Sequence, residues 1–335
     1  MKHSIIPLFI PHYGCPHQCI FCNQVRITGQ TTPVKAADVD RTIAAYLAST
    51  QETRQWEAAF YGGSFTALPQ GVMEELLRPA KEALDAGKIS GIRLSTRPDC
   101  ISPEILHLLS RMGVAVVELG VQSLSDEVLS LAERGHTAQD AEEAVRLLRE
   151  GGFQVGLQFM TGLPGETMAR LRYTARRGAT LCPDFVRLYP VLVLEDTRLA
   201  GLYRNGRYRP LTIEEAAFRC AFLKRWYDRH HIPVIRMGLQ ATEELDRGTS
   251  LLGGPYHPAM GELAEQVLWR HDLLRQMRGI PYGEEITLLC RREDRSKLMG
   301  HKKSTWLLLQ KRFGPRLSVR EDPSLKPGTC RILRQ

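Results

Sequence analysis

"HYGCPHQCIFCNQ" (residues 12–24) places three cysteines, Cys15, Cys19 and Cys22, on one short stretch directly after the apolar run IIPLFI (5–10). Their spacing is Cys-x3-Cys-x2-Cys, and no further cysteine follows nearby. Cys100, Cys182, Cys220, Cys290 and Cys330 are scattered singly, without a disulfide-framework spacing. Each of these reads as a small buried or half-buried hydrophobe. The clustered three are metal-ligand candidates rather than disulfide partners. Structural zinc takes four protein ligands, and His12 or His17 would have to complete the set. A [4Fe–4S] cluster also normally takes four thiolates. Three would leave one iron open to an exogenous ligand, which suits catalysis better than electron storage.

Outward from this loop, two textures alternate. Apolar, partly β-branched runs at 5–10, 57–61, 91–95, 115–120, 153–160 and 185–189 predict strands, with PVIRM (233–237) a seventh candidate. Helical patterns fall between them at 36–49, 70–86, 102–111, 137–150, 166–180 and 213–230. In the fourth, Thr137 stands where an N-cap is needed and Gly151 where the helix stops. Near-continuous apolar strands alternating with helices imply a parallel sheet covered on both faces. Six or more such units predict an α/β fold, a partial (β/α)6 TIM-like barrel. The expected division is a barrel domain over 1–278 and a small basic α+β extension over 279–335. A helix is expected at 259–277; the extension reads as strand (285–290), helix, the turn GHKK (300–303), helix (304–313) and strands at 316–321 and 329–333.

The polar punctuation follows the strands in order: the cysteine loop after the first, GGSF (62–65) after the second, TRPD (96–99) after the third, GVQS (120–123) after the fourth and TGLPGET (161–167) after the fifth. In parallel α/β folds the C-terminal strand ends form the active face. The unusual chemistry of the chain is thus expected on one rim.

Cys-x3-Cys-x-aromatic-Cys, with Phe21 before the last cysteine, resembles the signature of the radical S-adenosylmethionine (SAM) superfamily. The resemblance implies a [4Fe–4S] cluster on Cys15, Cys19 and Cys22, whose open iron takes the amino and carboxylate groups of SAM. Reductive cleavage of SAM would then yield a 5′-deoxyadenosyl radical that takes hydrogen from a substrate, with an electron donor such as flavodoxin or ferredoxin. YGGSF resembles the family's glycine pair; without a Cβ, Gly62 and Gly63 let backbone carbonyls approach the SAM ammonium. Ser64 reads as part of the turn. VELGVQS resembles the segment beside the SAM ribose, with Glu118 and Gln122 facing hydroxyls. Arg134 suits the methionine carboxylate as a bidentate fork. MTGLPGET resembles the adenine-facing motif, with Leu163 and Pro164 as apolar wall and Phe21 adding a flat face. His12 and Tyr13 are candidates for tuning the cluster, Tyr189 for an electron or proton relay, and His257 for a packing role.

Longer strings, STRPD (95–99), RGHT (134–137), GLPGET (162–167), RLYPVLVLEDTRLAGLYRNGRY (187–208) and GGPYHPAMGEL (253–263), resemble the radical SAM domain of the Elongator catalytic subunit and its prokaryotic relatives, over roughly residues 5–270. Two departures stand out. The first cysteine spacing is narrower here than in that subunit, and only some sixty residues follow the matched region, too few for the family's acetyltransferase domain. Wobble-uridine chemistry is therefore not carried over whole. LGVQSLSDEVL also resembles oxygen-independent coproporphyrinogen dehydrogenases, so a porphyrin or other small-molecule substrate stays open, as does a non-catalytic metal-stabilised RNA-binding scaffold.

The chain carries a net charge of +8, and residues 285–335 hold thirteen Lys/Arg against five Asp/Glu, an excess equal to the whole. Such a tail fits either a solvated face or a polyanion site. GHKK is similar to the GXXG loop of KH domains, with Lys303 in place of the second glycine. Lys302, Lys303, Lys311 and Arg312 are candidates for phosphate contacts, with tRNA or another RNA the expected partner, while Trp306 reads as core. The apolar N-terminal stretch is broken by Pro7 and Pro11, and no run reaches membrane-spanning length. A cytoplasmic, non-membrane location is expected.

Overall fold

The computed structural model describes residues 2–10, 15–23, 32–49, 54–239 and 250–334. Seven strands, β1 (Lys2–Phe9), β2 (Arg54–Tyr61), β3 (Gly91–Thr96), β4 (Val114–Gln122), β5 (Gln154–Thr161), β6 (Phe185–Pro190) and β8 (Val234–Met237), form one sheet in that order. Every pairing is parallel. The sheet curls into the expected half-barrel, and the seventh strand takes its place at the far edge. A short antiparallel pair, β7 (Val193–Leu194) with β9 (Leu251–Gly253), lies outside it.

The crossover helices are α1 (Ala36–Ala48), α2 (Gln70–Asp85), α3 (Pro103–Arg111), α4 (Asp126–Leu131), α5 (Ala138–Glu150), α6 (Met168–Thr180), α7 (Arg198–Arg204) and α8 (Ile213–Arg229). Their starts follow from local chemistry. Thr137 and Asp140 form a capping box at α5, as do Thr212 and Glu215 at α8. Ser102 caps α3, with Pro103 at its first position. Gly151 ends α5, as the sequence predicts. Apolar helix faces pack on the outer face of the sheet, burying Leu76, Leu77, Leu109, Leu148, Leu171 and Tyr227 against strand residues such as Phe60, Leu94, Val117 and Leu157.

A second core sits beyond α9 (Met260–Gln276). Here β10 (Ile286–Cys290) pairs in parallel with β11 (Leu317–Glu321) and antiparallel with β12 (Cys330–Arg334). Helices α10 (Arg295–Met299) and α11 (Ser304–Phe313) cover the sheet, and Trp306 packs against this core as expected. Helix α9 serves both cores. Met260, Leu263 and Ala264 join the barrel packing, while Trp269, Leu273 and Met277 join Ile286, Leu288 and Phe313. Among the scattered cysteines Cys182 departs from expectation: it is exposed, because Leu181 ends the helix and Cys182 turns into a left-handed conformation (φ 49°) at the surface. Among the described residues no helix is long and apolar enough to cross a membrane.

Candidate functional site

In a parallel strand alternate residues face the same side, and the inner row of this half-barrel is polar where a closed barrel is packed with aliphatic side chains. Glu118, fully buried on β4, is its centre. Arg187 Nε lies 2.8 Å from Glu118 Oε2 and Arg187 Nη2 lies 3.0 Å from Oε1. Arg93 Nη1 reaches Oε1 at 3.3 Å and bridges by Nε to Glu57 at 2.8 Å. The Tyr61 hydroxyl and the Gln158 amide each donate to Glu118 at 3.0 Å. Burial first, then the neighbouring Glu118 charge, pushes the Tyr61 hydroxyl above its ordinary range. Gly156 makes room for the floor of this layer, since a Cβ there would sit 2.3 Å from the Phe185 ring, and Arg93 stacks over that ring at 5.5 Å.

Above this layer opens a cavity of about 870 Å³, toward the upper end of the range for small-molecule sites. The loops after the first four strands reach it as the sequence order predicts: Cys15, Cys19 and Cys22, then Gly62, Gly63 and Ser64, then Arg97, then Gln122 and Arg134. The second half of the cysteine loop is held by backbone bonds. Ile20 donates to the Ala132 carbonyl at 3.3 Å and Leu199 donates to the Ile20 carbonyl at 2.8 Å. Beneath them Cys19, Ile20 and Phe21 pack with Val128, Leu163, Val193 and Leu199. The guanidinium of Arg134 donates to Cys19 Sγ at 3.0 Å and to the Gly120 carbonyl at 2.5 Å. Ser64, buried, lies with Oγ 3.4 Å from Cys15 Sγ, so it faces a cysteine as well as shaping the turn.

Several features at this end are built for something beyond the fold. Gly62 adopts φ +102°, open to glycine but rarely to other residues, with the Ile10 backbone 3.4 Å from where a Cβ would stand. Gln122 adopts φ 64° beside a register shift in β4, strain of the kind that marks functional positions. Gln122 Oε1, Arg134 Nε and Arg97 Nη1 are buried without a hydrogen-bond partner. These orphaned polar atoms fit a polar ligand seated against the cysteines. Among the described residues no three His, Cys, Asp or Glu side chains form a group suited to one metal ion. Cys100 does not line the cavity, and burial pushes its thiol up to about 11, so it stays protonated at neutral pH.

Not every candidate takes the expected place. Phe21, Gly62, Gly63, Gln122 and Arg134 line the cavity; Glu118, Leu163 and Pro164 do not. Glu118 is enclosed by its arginines, Leu163 props the cysteine loop from below, and Pro164 sits half-buried outside. Tyr189 lines the cavity. His257 has a local role, its Nδ1 accepting from the Ala259 amide at 3.1 Å. His12 and Tyr13 lie outside the described residues. Arg97, Gln158, Arg187 and Arg236 were not singled out from sequence, yet all face the cavity. For Arg187 and Arg236 a signal is present: a charged residue in the middle of an apolar strand, as in FVRLY and PVIRM, requires a polar interior.

Comparison with known proteins agrees with this geometry. The family described as the radical SAM superfamily matches residues 9–177, and the radical SAM C-terminal domain matches 183–270. The tRNA uridine(34) acetyltransferase of Dehalococcoides mccartyi is 32% identical over 234 residues, covering 58% of this chain and 50% of that protein. Protein YhcC of Escherichia coli is 26% identical, covering 61% of this chain and 68% of its own length. The structure of the archaeal Methanocaldococcus infernus Elp3 with an N-terminal deletion superposes with TM-score 0.64 at 22% identity, covering 86% of this chain and 70% of that one. The chain spans half or less of the length of the tRNA uridine(34) acetyltransferases it matches.

Proposed function

Because this chain belongs to the radical SAM superfamily, we propose that Cys15, Cys19 and Cys22 hold a [4Fe–4S] cluster with one iron left for SAM, and that the substrate is RNA, most specifically tRNA. The observation that carries the reading is that all three cysteines open onto one end of a single cavity at the C-terminal strand ends, beside orphaned buried polar atoms. When bound, the reduced cluster supplies the electron that cleaves SAM and so provides the radical for hydrogen abstraction.

The chain's own residues position and shield. In this reading Arg134 meets the methionine carboxylate; the support is its buried, unpartnered Nε, with Nη1 at Cys19 Sγ and Nη2 on the Gly120 carbonyl. Gly62 brings its backbone close to the SAM ammonium without a Cβ in the way. Gln122, held in a strained conformation with a free carbonyl oxygen, faces the ribose hydroxyls. Phe21 offers a flat apolar face to adenine and, with Leu163 behind it, keeps water from the cluster. The RNA part draws support from the relatives named tRNA uridine(34) acetyltransferase and from Lys302, Lys303, Lys311 and Arg312, all exposed near the C-terminal end.

The test is anaerobic reconstitution followed by iron and sulfide analysis, electron paramagnetic resonance with and without SAM, and assay of 5′-deoxyadenosine with dithionite and total tRNA. Expected are a cubane signal that shifts with SAM, loss of the cluster on Cys19→Ala, and deoxyadenosine formation stimulated by tRNA. A cluster indifferent to SAM overturns the radical reading. Undetectable or salt-insensitive tRNA binding removes the RNA part alone.

A further inference from the structure

The cavity wall carries Arg97, Arg134, Arg187 and Arg236, and no carboxylate among the described residues lines it. Three of these cations are accounted for. Arg97 forks Asp99 with two bonds of 2.9 Å. Arg134 stands at Cys19. Arg187 is neutralised by Glu118, and in that buried layer two arginines, Arg93 and Arg187, balance two carboxylates, Glu57 and Glu118.

Arg236 is different. It is directly in register with Arg187 on the neighbouring strand, and both face the cavity. Like charges side by side on one face of a sheet repel; Glu118 offsets the charge of Arg187, and no described carboxylate does the same for Arg236. Arg236 Nε donates to the Gly238 carbonyl at 3.2 Å, and no ion pair joins its head to a described carboxylate. β8 is also the sheet edge opposite β1, after which the cysteine loop begins. The surplus positive charge therefore sits on the substrate side of the cavity, flanked by Tyr189 and Leu239.

Resting on the radical SAM reading of the cysteine end, we propose that Arg236 seats an oxyanion of the substrate, a phosphate or a carboxylate, and thereby holds the rest of that molecule toward the cysteines. A guanidinium fork matches both groups in shape. A cleft walled by one sign of charge also draws such a ligand in. Arg236 is a binding residue in this proposal, and the reactive hydrogen belongs to a carbon elsewhere on the substrate.

The experiment titrates anaerobically reconstituted, SAM-loaded protein with inorganic phosphate and, separately, with acetate, by calorimetry. Wild type is compared with Arg236→Gln, Arg236→Lys and, as a surface control, Lys88→Gln, an exposed position. Wild type should bind one of the two anions. Arg236→Gln should weaken that binding on the order of tenfold to a hundredfold, Arg236→Lys should fall between, and Lys88→Gln should match wild type. Preference for phosphate identifies a phosphorylated substrate, such as a nucleotide; preference for acetate identifies a carboxylic acid. No binding by wild type, or equal binding by Arg236→Gln, overturns the proposal. The SAM-induced change in the resonance spectrum is recorded in parallel: its absence from wild type condemns the radical reading, whereas its retention in Arg236→Gln with lost anion binding supports the anion site alone.

Discussion

Replacing Glu118 by Gln keeps the side-chain shape and removes the charge at the centre of the inner layer. The carboxylate is fully buried and pairs with Arg187 and Arg93, themselves about nine-tenths buried. Breaking a buried ion pair by deleting one partner costs about 3–5 kcal/mol, because the remaining charge loses its compensation. The amide oxygen retains part of the bonding to Tyr61 and Gln158, but its NH2 faces guanidinium donors, so little is recovered. Against a total stability of about 5–15 kcal/mol, that loss is a large fraction. Urea unfolding of Glu118→Gln, Arg187→Gln and the double variant forms a cycle, and a coupling energy on the order of 2–3 kcal/mol is expected. SAM affinity, read by resonance or equilibrium dialysis at a urea-free pH 7, should change less than stability does. A Glu118→Gln protein within about 0.5 kcal/mol of wild type but defective in SAM binding would refute the reasoning and return Glu118 to the ribose role suggested by its motif.

Burial first, then Arg134 and Arg97, lowers His136 from 6.5 to about 4. The unfolded chain therefore takes up this proton first, so the contribution is complete above pH 6.5 and is lost as pH falls toward 4; by linkage the loss is about 3 kcal/mol, visible as the wild-type minus His136→Gln difference in unfolding free energy across that window. A flat difference would show His136 to be solvated. Gly156→Ala drives a Cβ to within 2.3 Å of the Phe185 ring and should cost about 1–3 kcal/mol in thermal or urea unfolding, with partial recovery in Gly156→Ala/Phe185→Leu; no cost would mean that the floor of the barrel is loosely packed. Removing residues 279–335, the proposed extension, uncovers Trp269, Leu273 and Met277, and size-exclusion chromatography should show aggregation or strong dye binding; a monomer of unchanged melting temperature would show that the barrel is independent of this segment.

The order of strands and helices was legible because each element carries its own signal: β-branched runs too short for helices, caps such as Thr137, and stops such as Gly151. The cysteine loop and the rim glycines were legible for a similar reason, since ligand spacing and a required positive φ are written in a few adjacent residues. What the sequence could not decide was the use of polar side chains whose partners lie far along the chain. Glu118 stands in a motif that suggests a sugar ligand, yet Arg187, 69 residues away, and Arg93 close around it once the sheet curls. Leu163 follows a motif that suggests an adenine wall, yet the cysteine loop folds over and uses it as support. Arg236 becomes notable only when β8 sets it beside Arg187. Local sequence fixes which face of a strand a residue takes, because side chains alternate with period two; only the order and curl of the sheet determine which charges then meet on its inner face, and which one is left over.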